Sequence, residues 1–290
     1  MTRQEAIDRL KADPRPVTPG RKVVVDAFRP EDAEGVARLY FAVYGETFPH
    51  EYVYDPLTIA ARNAGPNLYH VVGRTDLGDV VGLSALFRAA PGPGIMESGG
   101  LMIHPAYRGY GRLALGLMRA TVQDLPLSLG LTAVFGQSVC QHMTTQKFTT
   151  HLKHLPFALE LEALPGAPRD ALLWEFRQFK DETRVIHVPA RHARFVRDLY
   201  NEPGLRREIM IHGRIASDVA QTRWSDASVD YAGIARVLVE AVGPDVTAVV
   251  AASEARRPAA HAFQVVLPLA DPGTPEAVEL LRECGYFLAG

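Results

Sequence analysis

The sequence predicts a mixed α/β fold, and three observations support this prediction. Short Val-rich segments alternate with helices whose apolar residues recur every three to four positions. Two β-rich segments are joined by a short polar turn, which indicates an antiparallel pair. A further strand leads through a glycine-rich turn directly into an apolar helix, within residues 101–123. With 290 residues, the chain is long enough for two domains.

The predicted elements begin after a polar, proline-containing extension, residues 1–21. A strand, KVVVDAF, follows, and the next helix begins at Pro30 and ends at Gly45. The apolar stripe of this helix consists of Val36, Leu39, Tyr40 and Val43. We therefore expect the helix to lie on a sheet.

An aromatic segment comes next and leads into a second, short helix. Its aromatic residues are Tyr44, Phe48, Tyr52 and Tyr54. The strands NLYHVVGR, DVVGLSALFR and IMESGGLMI follow, then the turn HPAYRGYG, the helix RLALGLMRATVQ and the strand LTAVFG. The predicted order is β-α-α-β-β-β-α-β.

Composition excludes several classes of protein. The 31 Lys and Arg residues nearly balance the 33 Asp and Glu residues, and a net charge of -2 does not favour a nucleic-acid partner. No apolar run reaches the roughly 18 residues of a membrane span, and the charged start is unlike a signal peptide. Two cysteines, Cys140 and Cys284, lack a CxxC spacing and favour a reduced, cytoplasmic compartment. The ten histidines show no HExxH-like spacing, so we expect no metal.

The second half of the chain shows a weak repeat of the first. A shift of 160 residues aligns DAEGVARLY, residues 32–40, with HARFVRDLY, residues 192–200. Either the chain contains an internal duplication or two amphipathic helices match by chance. The predicted boundaries are listed as an N-terminal extension at 1–21, a first domain at 22–163, a linker at 164–182 and a second domain at 183–290.

One segment carries a chemical signal, the turn Arg108-Gly109-Tyr110-Gly111 between a strand and a helix. Free backbone N–H groups and the positive end of a helix dipole meet in such a turn, as in a pyrophosphate site. Side chains at the two glycines would keep phosphate oxygens away, and Arg108 can add a charged contact. Alternatively, the glycines are needed only for positive φ. The P-loop and Rossmann glycine patterns are absent.

In this context the segment resembles the GNAT superfamily of acyl-CoA-dependent N-acyltransferases. The family pattern is a strand ending in apolar-x-apolar-x-Pro, followed by (Gln/Arg)-x-x-Gly-x-(Gly/Ala) at the start of a helix. The matching residues are Leu101, Met102, Ile103, His104 and Pro105, followed by Arg108, Gly109, Tyr110 and Gly111. The sixth motif position holds Leu113, where Gly or Ala is usual. The resemblance covers roughly residues 22–163, and the second domain could be a degenerate copy.

The resemblance implies acetyl-CoA as co-substrate and a site for it. The pantetheine arm would pair with the splayed fourth strand, at Leu101, Met102 and Ile103. The diphosphate would lie on the turn formed by Arg108, Gly109, Tyr110, Gly111 and Arg112. A backbone N–H of the same strand would polarise the thioester carbonyl. Gly99 and Gly100 either form the bulge that splays this strand or pack under an aromatic ring.

Three residues are candidates for catalysis. An ammonium acceptor must lose a proton, and Glu97 is the candidate base because several histone-type members of the family hold a catalytic Glu there. Period-2 alternation places Glu97 on the same strand face as Ile103. The family's usual acid, a Tyr in the later helix, has no counterpart among residues 152–157, so its role falls to Tyr110, to water or to nothing. His142 is a candidate for substrate contact or, with Cys140, a nucleophile pair that lacks an orienting third group.

The sequence therefore predicts an N-acetyltransferase that transfers an acetyl group directly from acetyl-CoA to an amine, with a small-molecule acceptor favoured. Two alternatives stay open: a non-catalytic acyl-CoA sensor or scaffold, and a CoA-independent protein that kept the fold. The sequence does not determine the oligomeric state, and a homodimer is among the alternatives.

Overall fold

The structure is a computed structural model of the chain. It describes residues 1–90, 92, 94–109, 111–141, 143–165, 169–216 and 219–290, with Gly111 described by its backbone alone. The chain divides into two compact units. The first comprises Met1–Gln137, Thr144–Leu155 and Glu175–Lys180, and the second comprises Ser138–Met143, Pro156–Trp174 and Asp181–Gly290. Within the described residues, no helix is long and apolar enough to cross a membrane.

The mixed α/β prediction is confirmed, and so is the predicted element order. The elements as far as the first parallel strand pair are α1 (Arg3–Ala12), β1 (Val23–Ala27), α2 (Ala33–Tyr44), α3 (Pro56–Asn63), β2 (Leu68–Thr75), β3 (Val80–Phe87), β4 (Ile95–Ile103), α4 (Gly111–Arg119), α5 (Leu125–Ser128) and β5 (Ala133–Val139). A π-helical turn, Ala120–Asp124, joins α4 to α5. The elements that follow are α6 (Thr144–His151), β6 (Leu155–Leu164) and β7 (Asp170–Gln178).

Strands β1 to β4 pair antiparallel with their neighbours, and β5 pairs parallel to β4. Helix α4 makes the crossover between these two parallel strands. In the first unit the strand order is β1-β2-β3-β4-β5-β7, and in the second unit β6 lies beside β7. This topology agrees with the acyl-CoA N-acyltransferase fold that the sequence predicts.

The two faces of the first sheet carry separate apolar cores. Helices α1, α2 and α3 cover one face, where Val72, Leu83 and Met102 are buried. Helix α4 covers the other face through Leu113 and Leu117. Two helical layers around one sheet bury both faces, as expected for an α/β domain.

The N-terminal extension contains a helix that the sequence analysis did not predict. A capping box formed by Thr2 and Glu5 begins α1, and its residues Ala6, Ile7 and Leu10 are buried in the core beneath α2. Only four apolar residues occur in this ten-residue helix, and two of them are alanines, so its amphipathic pattern is weak.

The second unit repeats part of the first unit's strand and helix order. Its elements after the β6–β7 pair are β8 (Arg184–His187), α7 (Ala193–Asn201), β9 (Arg207–Met210), β10 (Arg223–Asp226), β11 (Ile234–Ala241), α8 (Val246–Ala255), β12 (Ala262–Val266) and α9 (Thr274–Glu283). Strands β10 and β11 are antiparallel, and β11 and β12 are parallel with α8 between them. The same arrangement links β3, β4, α4 and β5. The segments aligned at the shift of 160 residues lie mainly on α2 and α7, each after a strand.

Candidate acyl-CoA site

The glycine turn before α4 is held by the N-terminal extension. A single 3-10 turn, Pro105–Tyr107, follows β4. The Tyr107 side chain is fully buried, donates a hydrogen bond to the Thr18 carbonyl at 2.7 Å and accepts one from the Arg21 N–H at 3.1 Å. Residues 18 and 21 thus fix the residue that immediately precedes the turn.

Gly109 needs to be glycine for its backbone angle. Its φ is +92°, in the left-handed region that L side chains rarely adopt. A Cβ atom built at Gly109 would meet nothing within 4 Å, so the space beside this residue is open. Positive φ is therefore required at Gly109, and the space beside its backbone is open.

Positive charge surrounds the start of α4. Arg108 and Arg112 are exposed on either side of the first helical residue. A cavity of about 230 Å³ lies beside this point, lined by Arg21, Val23, Val25, Tyr107, Arg112 and Leu113. Arg21 is paired with Asp76 at 2.7 Å, whereas Arg112 has no ion pair in the described part of the chain. The positive end of the helix dipole adds to the positive potential at this point.

Strand β4 contains a bulge at Gly100. Leu83 pairs with Met102 and Ala85 pairs with Gly99, so Ser84 alone faces two residues of β4. Gly100 has φ +63°, which a glycine adopts without strain. A Cβ atom built at Gly99 would lie 3.0 Å from the Phe87 ring, so both interpretations given for the glycine pair are seen, the bulge at Gly100 and the packing against an aromatic ring at Gly99.

The bulge reverses the strand face on which Glu97 lies. Along β3, alternate residues share a face, and the β4 residues opposite Leu83, Ala85 and Phe87 are Met102, Gly99 and Glu97. Ile103 pairs with Gly82, which belongs to the other face. The prediction that Glu97 shares a face with Ile103 is therefore wrong, because the bulge adds one residue to the period-2 count. Glu97 is half-buried on the face that α2 and α3 cover.

Beyond Ser98, β4 continues past the end of its ladder with β5. At alternate positions its backbone N–H and C=O groups point away from β3. The ladder with β5 runs from the Ile95–Ala133 pair to the Ser98–Gly136 pair, and β4 continues to Ile103. The His104 N–H donates to the Val81 carbonyl at 2.9 Å. Backbone groups alternate along the regular part of a strand, so Met102 faces β3, whereas Ile103 directs its N–H and C=O groups to the opposite side.

The predicted binding residues are brought together only in part. Leu101, Met102 and Ile103 lie on the strand that leads to the turn, and Arg108, Gly109, Gly111 and Arg112 form the turn and the helix start. Met102 uses its backbone for pairing with β3 and its buried side chain for the core, so it is the member of this set least suited to contact a ligand. Tyr110 and His142 lie outside the described residues.

The aromatic segment divides into core and surface residues. Tyr54 is fully buried, and its hydroxyl accepts from the Phe48 N–H and donates to the Gly45 carbonyl. The Phe48 ring centroid lies 4.9 Å from those of Tyr40 and Tyr44. Burial raises the pKa of Tyr44, and the charge of Arg108 opposes that rise. Tyr54 is thus a core residue, whereas Tyr44 and Phe48 border the side of the sheet that carries Glu97.

Sequence reasoning missed Tyr40, which it assigned only to the apolar stripe of its helix. Its side chain is 3% exposed, and its hydroxyl oxygen lies 3.8 Å from the position of a Cβ atom built at Gly100. A Tyr in an apolar stripe normally needs a partner for its hydroxyl, and this requirement is the signal that could have identified it.

In the second unit, the matching helix start is closed by the chain itself. The Thr222 N–H donates to the Asp245 carboxylate at 2.6 Å, just before α8. The Thr222 hydroxyl accepts from the Gly243 N–H at 3.0 Å. A Cβ atom at Gly243 would lie 2.3 Å from the Thr222 nitrogen. A carboxylate and a neighbouring segment therefore fill the position that a phosphate would need.

No family model and no curated protein matches the chain. Among solved structures, it is similar to an N-acetyltransferase from Staphylococcus aureus Mu50, with 13% identity, a TM-score of 0.47, and coverage of 55% of this chain and 99% of that one. A Salmonella typhimurium protein described as an acetyltransferase and solved with acetyl-CoA gives 14% identity, a TM-score of 0.47, and coverage of 56% and 96%. The ribosomal-protein-S18-alanine N-acetyltransferase from Escherichia coli gives 11% identity, a TM-score of 0.45, and coverage of 56% of this chain and 96% of that one.

Within the described residues, no group of three or more His, Cys, Asp or Glu side chains could hold a metal ion.

Proposed function

We propose that the chain is an N-acetyltransferase that transfers an acetyl group directly from acetyl-CoA to an amine of a small molecule. One observation carries this proposal: the outward-facing backbone of Ile103 leads straight to the open Gly109 turn at the start of α4. An acyl-CoA needs two sites in this order. Its extended thiol arm needs strand-like hydrogen bonds, and its diphosphate needs free N–H groups at a helix start.

The described residues fit an acyl-CoA. Gly109 leaves open space beside its backbone, and Arg108 and Arg112 supply charge for phosphate oxygens. Acetyl-CoA would supply the activated acyl group. Leu101 or Ile103 would donate its N–H to the carbonyl oxygen and stabilise the negative charge that develops there.

Glu97 is the proposed base. Its carboxylate lies on the face that α2 and α3 cover, where an acceptor with an apolar body could bind. It would take one proton from the ammonium group, directly or through a water. A C–N bond then forms and the C–S bond breaks, the nitrogen loses its second proton to solvent, and the sulfur of CoA receives a proton from solvent.

The test combines binding with turnover on the full chain. Calorimetric titration with acetyl-CoA should show binding, and a thiol-reactive dye should detect CoA release that depends on an added amine from a panel of small amines and lysine peptides. Binding without any amine-dependent release would support the alternative, a non-catalytic acyl-CoA sensor. The absence of binding would contradict both and favour a CoA-independent protein.

A further inference from the structure

The Tyr40 hydroxyl is a nearly buried donor without an acceptor in the part of the chain that the structure describes. Its side chain is 3% exposed and packs against the rings of Tyr44 and Phe48, at 6.4 and 4.9 Å between centroids. Burial raises the pKa of Tyr40, so the hydroxyl keeps its proton at any pH the protein tolerates. A neutral hydroxyl can donate one hydrogen bond, so this group is free to bind an acceptor that reaches it.

The hydroxyl points at the bulge of β4. It lies 3.8 Å from the position of a Cβ atom at Gly100, and Gly100 itself is exposed. Any side chain at this position would stand between the hydroxyl and the space beside the bulge. Glycine therefore leaves the donor open to whatever binds along β4 at the bulge.

Tyr40 also lies on the face that carries Glu97. Helix α2 packs on that face with Met102, and Glu97 belongs to the same face as Met102. A neutral donor and a carboxylate thus lie on the same face on either side of the bulge, and the ladder of β4 with β5 ends before it. Acyl transfer requires two donors for the carbonyl oxygen and a base for the amine. The Tyr40 hydroxyl and a backbone N–H of β4 are suited to be the donors, and the Glu97 carboxylate is suited to be the base.

We infer that the Tyr40 hydroxyl donates a hydrogen bond to the carbonyl oxygen of the bound acyl thioester, as a second donor beside a backbone N–H of β4. This inference rests on the proposed function. Tyr40 keeps its proton throughout, so it stabilises the charge that forms on oxygen and transfers nothing. It would be a catalytic residue, because its hydroxyl touches the reacting carbonyl.

The experiment measures the infrared stretch of the carbonyl in bound acetyl-CoA labelled with carbon-13 at the carbonyl carbon. A second donor lowers the stretching frequency in the wild type, and we expect Tyr40→Phe to move it back toward the value in water-free solvent. Tyr54→Phe is the matched control, because it removes a buried hydroxyl whose partners are Phe48 and Gly45. It should leave the frequency unchanged.

A second readout is the slow release of CoA thiol from acetyl-CoA without an acceptor, with water as the nucleophile. Loss of one such donor should reduce this rate by about 100- to 1,000-fold in Tyr40→Phe. The affinity for CoA, which has no carbonyl at this position, should stay unchanged. Tyr40→p-aminophenylalanine retains a donor and should restore part of both effects.

An unchanged frequency and an unchanged hydrolysis rate in Tyr40→Phe, with acetyl-CoA still bound, would overturn the inference alone. A shift of equal size in Tyr54→Phe would also overturn it, since the effect would then come from repacking of the aromatic cluster. If no variant and no wild-type sample binds acetyl-CoA, the proposed function fails and this inference fails with it.

Discussion

His154 should make the first unit sensitive to acid. Its side chain is 2% exposed, and neither ring nitrogen has a partner in the described structure. Burial, assisted by the charge of Arg177, lowers the pKa of His154 to about 4 from an ordinary value near 6.5. The unfolded chain therefore binds the proton more readily than the folded protein, so the free energy of unfolding falls as the pH decreases below about 6.5 and levels off below about 4.

The size of this effect follows from the two pKa values. At about 1.4 kcal/mol per pKa unit, the difference corresponds to about 3 kcal/mol in full, and about 2 kcal/mol of it is lost between pH 7 and pH 5. His154→Leu removes the titrating group and two unpartnered polar atoms. We expect this variant to be at least as stable as the wild type at pH 7 and to lose about 2 kcal/mol less on going to pH 5.

The assay must report on the first unit, and tryptophan fluorescence does not, because Trp174 and Trp224 both belong to the second unit. Hydrogen exchange of peptides from β2 and β3, measured at several urea concentrations and at both pH values, reports on the first unit directly. His212→Gln, at an exposed position of the second unit, is the control. If His154→Leu and the wild type lose the same stability between pH 7 and pH 5, the assignment of acid sensitivity to His154 is wrong.

Three further predictions concern the proposed site. Glu97→Gln should lower turnover by about 100- to 10,000-fold with CoA affinity unchanged. The loss of turnover should become smaller as the pH approaches the acceptor's own pKa. A full rate near neutral pH would show that Glu97 is an ordinary strand carboxylate. Gly109→Ala should lower the free energy of unfolding by about 1 to 2 kcal/mol, because the φ of +92° at this position is unfavourable for alanine, and it should also weaken CoA binding. Gly65→Ala, where a Cβ atom meets only ordinary contacts, is the control. Calorimetry of the full chain should give one CoA per chain, and Gly111→Val should leave no residual binding. Residual binding in this variant would reveal a second site and contradict the prediction.

The order of elements in the first unit could be predicted because local patterns determine it. Pro30 and Gly45 mark the start and end of the predicted helix, and the structure has α2 from Ala33 to Tyr44 after a short 3-10 turn at Pro30–Asp32. Val-rich segments and the TDLG turn likewise predict β2 and β3. Each of these signals depends on residues close together in the chain, which is the information that a single sequence carries.

The features that were missed depend on contacts between distant residues. Helix α1 is stabilised by burial of Ile7 and Leu10 beneath α2, and its own sequence contains too few apolar residues to predict it. The bulge at Gly100 exists only relative to β3, so counting by twos along β4 put Glu97 on the wrong face. Tyr40 looked like any core position until its hydroxyl was placed beside that bulge.

The two units share part of their element order but differ at the helix start. Strands β11 and β12 and helix α8 repeat the arrangement of β4, β5 and α4, yet Thr222 packs against Gly243, and its N–H lowers the pKa of the Asp245 carboxyl at the helix start. A carboxylate there occupies the end of the helix dipole that an anion would use and repels a phosphate. At the start of α4, the space beside Gly109 is open, and arginines take the place of the acid. The expectation of a single CoA site per chain therefore rests on what fills each turn, and a duplicated fold with one open turn and one closed turn is what a degenerate second copy would look like.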